Sequence, residues 1–223
     1  MKREPRFSGP PPGARNVDNG GLYMVAFEAA KKITAPPREG GENDALVSIV
    51  FSAIALESFL NEVREFAGHF VADKGADIVT MFARAMGDLE QTQSITLKFS
   101  VSHLILTGKP ADFGAPPYQD LTLLVSLRNE LVHFKPTSAL SYDPEYHPVR
   151  EKLRARLESK NMLAEEAESG ESWLFHVSTK AVAEWACNTA ANIILDFIKN
   201  VPQGGGWGTI MSDLREPYFS LRF

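Results

Sequence analysis

Apolar residues recur at three- and four-residue intervals over most of this chain, the spacing of amphipathic helices, and no segment alternates apolar and polar positions as a half-buried strand does. The pattern predicts an all-α protein, an antiparallel, up-and-down helical bundle. Helical spacing runs over 22–33 (LYMVAFEAAKKI), 44–72, 74–86, 89–106, 118–134, 149–162 and 179–200. Proline and glycine punctuate the breaks, in TAPPREGGEN, in GKPADFGAPP and again after Pro136. Asn43 or Asp44 is a suitable N-cap for the second helix, and Ser178 for the last, which ends before Pro202. Residues 1–21 hold four prolines and read as a flexible arm. Residues 201–223 read as a Gly-rich C-terminal tail whose aromatic residues dock on a neighbouring helix. The bundle occupies 22–200.

The second helix sets a puzzle. Leu46, Ile49, Val50, Ala53, Leu56, Leu60, Val63 and Ala67 make one broad apolar face. Glu57 falls inside that stripe, and Asn61 lies one turn further on. A carboxylate there is costly to bury without a partner. The pair is either satisfied within the bundle or at its interface, or stands close behind a functional site.

Composition narrows the classes. A chain of 223 residues is long enough for one well-buried core. The net charge of −5 means that any nucleic-acid contact must come from a local basic patch. No apolar run follows the charged N-terminus as in a signal peptide. The longest apolar stretch, Ala45 to Leu60, is interrupted by Ser48, Ser52, Glu57 and Ser58, so no membrane span is expected. One cysteine, Cys187, forms no internal disulfide and fits a reducing compartment. The expected location is cytoplasmic. Cys187 lies in an Ala-rich helical stretch and reads as a small buried hydrophobe.

The segment Leu127-Arg128-Asn129-Glu130-Leu131-Val132-His133-Phe134-Lys135-Pro136 carries the most chemistry. It sets an Arg, an Asn and a His at the end of a helix that a proline stops. Arg holds phosphate bidentately and is always charged. His is the side chain whose unperturbed pKa lies nearest neutral. Asn129 and His133 are four apart and share a face, whereas Arg128 and His133 lie about 140° apart around the axis. The Arg is long enough to reach back.

This string resembles the motif of the HEPN superfamily (higher eukaryotes and prokaryotes nucleotide-binding domains), an Arg followed by four to six residues and a His. Arg128 and His133 match with four between them, and Asn129 matches the polar residue that commonly follows the Arg. ALESFLNEV (Ala55 to Val63) looks like the first core helix of HEPN-like bacterial proteins, and LTGKPADFGAPPYQDL looks like their connecting loop. The resemblance spans roughly residues 44–200. It implies a helical bundle that homodimerises through its motif helices, here with Leu124, Leu127 and Leu131 at or beside a two-fold interface. It also implies metal-independent RNA cleavage, toxin- or defence-like, with no cofactor and with an antitoxin or regulatory protein as a further partner. Arg128 would stabilise the phosphate, Asn129 orient the site, and His133 act as acid/base on the ribose 2′-hydroxyl. Glu57, Asn61 and Lys135 would support the site or the substrate. Some toxin members carry a Tyr two residues after the His, where this chain has Lys135. Other members are catalytically silent, so a non-catalytic interaction or nucleotide-binding module is the alternative.

The remaining residues are less specific. Arg150, Lys152, Arg154, Arg156 and Lys160 read as a solvated helix face, diluted by Glu151 and Glu158. Their other reading is a phosphate-contacting edge. His69, His103, His147 and His176 have no metal-ligand spacing, so no metal is expected, and each reads as structural or exposed. Gly204 to Gly206 lack the Lys-Ser/Thr pair of a phosphate loop.

Overall fold

The computed structural model describes residues 19–33, 42–70, 77–89, 94–133, 148–164 and 173–202, with the single positions 208, 211 and 223. All regular structure among them is helical: α1 Asn19–Lys32, α2 Glu42–Phe70, α3 Ile78–Asp88, α4 Ile95–Thr107, α5 Tyr118–Val132, α6 Pro148–Glu158, α7 Trp173–Val177 and α8 Lys180–Asn200. The all-α expectation is met. Helix α1 begins three residues before the expected start at Leu22, and most of the arm and tail lie outside the described residues.

Local chemistry fixes the boundaries. Asp77 caps α3 by accepting from the Thr80 N–H (2.7 Å), which holds its carboxyl below the usual carboxylate range. This start is later than the expected Lys74. Ser94 caps α4, which therefore starts after the expected Leu89. Gly108 ends α4 in the left-handed conformation (φ 71°), its N–H donating to the Leu104 carbonyl at 2.8 Å. For α8 the cap is Thr179, not Ser178. The Thr179 hydroxyl accepts from the Val182 N–H (3.1 Å) and donates to the Met162 carbonyl (2.6 Å). Ser178 instead donates back to the Leu174 carbonyl, closing the short α7 that the sequence pattern did not predict.

Helices α2 and α8 form the centre. Helices α1, α3, α4 and α5 pack around α2, and α1, α4 and α5 also touch α8. The central pair runs in the same sense. Ser48 and Ser52 of α2 meet Cys187 of α8, and further along Phe59 meets Phe197 edge to face at 5.2 Å. Small residues meet at the seam: Ser48 and Ser52 against Cys187 and the Ala183 carbonyl, all buried.

That seam corrects the reading of α2. Its buried positions are 45, 48, 49, 52, 53, 55, 56, 59, 60, 63 and 67. The two serines that looked like interruptions are core residues. The Ser48 hydroxyl lies 3.2 Å from Cys187 Sγ and 3.3 Å from the Ala183 carbonyl, so it is satisfied without water. Leu46 and Val50 sit on the half-buried flank, and Glu57 is exposed. The Glu57 carboxylate is therefore not buried. Helix α2 is long and apolar enough, over Asn43–His69, to cross a membrane by length and composition, contrary to the expectation that serines disqualify it. Half of that stretch is buried inside the bundle, as befits a central core helix.

Outside the centre, Phe223 packs its ring on Phe27 of α1 (centroids 4.6 Å apart), and its backbone N–H donates to Asn188 Oδ1 at 3.1 Å. This is the expected docking of a tail aromatic.

Candidate functional site

Helix α5 carries the Arg-Asn-His string because its opposite face is committed to the core. Leu121, Leu123, Leu124 and Leu127 are buried. A helix so anchored presents the positions between those leucines in a fixed direction. It ends two residues earlier than predicted. Val132 is the last helical residue, and His133 closes the helix with φ −105°, its N–H donating to the Asn129 carbonyl at 2.9 Å. Phe134, Lys135 and Pro136 lie outside the described residues, so the expected role of Lys135 and the proline stop have no structural counterpart here.

Asn129 and His133 are exposed, on the solvent side of α5. Arg128 is half-buried and leaves the helix on the neighbouring flank. Its guanidinium turns back, and Nη1 donates to Asn129 Oδ1 at 3.0 Å. Asn129 thus holds the charge toward the face it shares with His133. Among the described residues, no hydrogen bond or ion pair joins Arg128 to His133, or either of them to Glu57 or Asn61. Those two are exposed on α2. Leu124 and Leu127, expected at a two-fold interface, are fully buried within the protomer.

Two polar arrangements escaped the sequence reading. The first lies on Glu130, inside the motif itself. Its Oε1 accepts from Arg150 Nε at 2.6 Å, and both side chains are nearly buried, at 12% and 9% exposure. Arg150 is therefore not part of a solvated face. A second ion pair joins Asp120 Oδ1 to Lys160 Nζ at 3.0 Å. Partners at 130 and 150, and at 120 and 160, mean that α6 lies antiparallel along α5. Leu153 and Leu157 are buried between the two ion pairs. The signal was present in the sequence as two acids and two bases, each pair ten residues apart.

The second links three helices through Tyr118. Its hydroxyl donates to Asp196 Oδ2 of α8 (3.0 Å) and lies 2.8 Å from His103 Nδ1 of α4. A carboxylate only accepts, so the single phenol proton goes to Asp196, and the phenol oxygen accepts from His103 Nδ1–H. Burial, and then the negative charge of Asp196, push the Tyr118 phenol well above its ordinary value. Phe113 covers the ring edge-on at 5.7 Å. His103 is thus a structural histidine, as expected, though Tyr118 reaches 15 residues back to it and 78 residues on to Asp196. Among the described residues no group of three His, Cys, Asp or Glu side chains is placed to hold a metal ion.

No protein-family model, curated protein or solved structure matches this chain.

Proposed function

We propose that this protein is a metal-independent RNA endonuclease of HEPN type that acts as a homodimer. The observation that carries the reading is the Arg128–Asn129 hydrogen bond, which turns a guanidinium toward the exposed face shared by Asn129 and His133. RNA brings its own nucleophile, the 2′-hydroxyl. The protein need only position it, move protons and stabilise charge on the phosphate. Arg128 supplies a planar, permanently charged fork for the phosphate oxygens. Asn129 orients that fork. His133, in solvent at the helix end, takes the proton from the 2′-hydroxyl.

One such set is half a site. A second copy meeting the exposed end of α5 brings another Arg128 and His133 to the same phosphate, so that one His serves as base and the other as acid. Val132, exposed at 47% beside His133, is the apolar surface that such a partner would cover.

The reaction leaves a 2′,3′-cyclic phosphate and a 5′-hydroxyl. The test is incubation of pure protein with single-stranded RNA in EDTA, followed by analysis of the product ends. Cleavage with those ends is expected. RNA left intact in EDTA and in magnesium alike would exclude the activity and leave a non-catalytic module of the same surface.

A further inference from the structure

Helix α6 packs on α5, and the Glu130–Arg150 and Asp120–Lys160 ion pairs, the second just past its C-terminal end, set its direction and its rotation. Arg150, Leu153 and Leu157 face inward. At about 100° per residue, the other charges of α6 fall into two groups. Lys152 and Arg156, four apart, occupy one flank, and Lys160 continues their line. Glu151 and Glu158, seven apart, occupy the other flank together with Arg154. The alternation of sign along the sequence is a separation of sign around the helix. Lys152, Arg154 and Arg156 are all exposed.

The antiparallel register also decides which flank goes where. With α5 and α6 facing each other through Glu130–Arg150 and Asp120–Lys160, the Lys152/Arg156 flank turns to the same side of the pair as Asn129 and His133. The Glu151/Glu158 flank turns away. Residue 152 lies level with residue 128 of α5, and 156 level with 124. Lys152 is then on the order of 8 Å along the axis from His133, and Arg156 about 6 Å further. A line of positive charge therefore starts beside His133 and runs down α6, on a protein whose net charge is −5.

We propose that Lys152 and Arg156 form a backbone-binding track that leads single-stranded RNA to His133. The assignment rests on the ribonuclease reading for its destination but can be tested apart from it. Salt bridges to successive phosphates give affinity without base preference, and each releases counterions, so binding weakens with salt. The Glu130–Arg150 pair positions the track, because it sets the rotation of α6 against the motif helix.

The test uses a fluorescent 2′-O-methylated oligoribonucleotide, which lacks the nucleophile and reports binding alone. Its anisotropy is followed against salt concentration with the full chain. The double variant Lys152→Gln/Arg156→Gln should weaken binding roughly tenfold and flatten the log–log salt slope by about 1.4, the loss of two single-strand phosphate contacts. The charge-matched variant Arg154→Gln/Arg84→Gln, on the other flank of α6 and on α3, should leave both unchanged. All four residues are exposed or on the surface flank, so circular dichroism should report an unaltered fold. Equal losses in the two variants, no binding by the wild type, or displacement by poly-glutamate as effective as by RNA would each overturn the track. Cleavage of unmodified RNA that is undiminished in the Lys152/Arg156 variant overturns it too and leaves the nuclease reading standing. Binding as expected with no cleavage by the wild type has the opposite meaning.

Discussion

Tyr118 joins three helices through one oxygen, and its energetic role can be isolated by removing that atom. Tyr118→Phe keeps the ring against Phe113 and deletes the bonds to Asp196 and His103. The expected loss is about 1–2 kcal/mol, at the low end for a bond to a charged group because Asp196 keeps 27% exposure and can be rehydrated. Chemical denaturation of both proteins checks it. The pH dependence has a definite sign. The folded state raises the phenol above its ordinary value of 10, so Tyr118 contributes fully below about pH 10 and its contribution is lost as pH rises further. Wild type should lose stability more steeply than Tyr118→Phe above that pH, and parallel curves would refute the assignment. Cys187 is a simpler case. It is fully buried, and burial raises its thiol, only partly offset by bonds from Ser48 and Ser52. A thiol reagent should leave the native protein unlabelled and label it on unfolding. That behaviour was legible from an Ala-rich helical context. The Tyr118 cluster was not, because proximity across three helices leaves no trace in local spacing.

At the scale of elements, α5 and α6 stand or fall together. Glu130→Ala would remove the carboxylate that lies 2.6 Å from the nearly buried Arg150 guanidinium, and breaking such a pair costs about 3 kcal/mol. Because α6 rests on α5, amide hydrogen exchange should accelerate across 148–158 well before it does across α2 and α8. Uniform acceleration, or none, would show that the pair does not hold α6. The sequence pattern located the main helices and the leucine face of α5. It erred on α2 because serine was counted as polar. Where two helices approach closely through small residues, a serine that bonds to the neighbouring helix is a core residue, and the apolar arc shifts round by that much. It placed Lys152, Arg154 and Arg156 correctly on a solvated face and erred on Arg150, because charges were read along the chain and not around the helix.

For the whole molecule, the account requires a dimer. Light scattering at micromolar concentration should give twice the mass of 24.6 kDa, and Val132→Asp, beside His133, should shift the protein toward monomer and lower cleavage with it. A wild type that is only monomeric would leave half a site. How much of that site was legible is specific: the identity of Arg128, Asn129 and His133 came from their spacing at a helix end. The return of the guanidinium to Asn129, the exposure of Glu57 and Asn61, and the burial of Leu124 and Leu127 came only from packing. The central claim is that Arg128 and His133 act on RNA without a metal. Its most direct test is the single-turnover rate of cleavage in EDTA for wild type, His133→Ala and Arg128→Lys, with folds matched by circular dichroism. The account predicts cleavage by wild type, a loss of roughly 100-fold or more in His133→Ala, and a marked loss in Arg128→Lys, because an ammonium lacks the planar fork. Variants that cleave like wild type, or RNA that stays intact throughout, would contradict it.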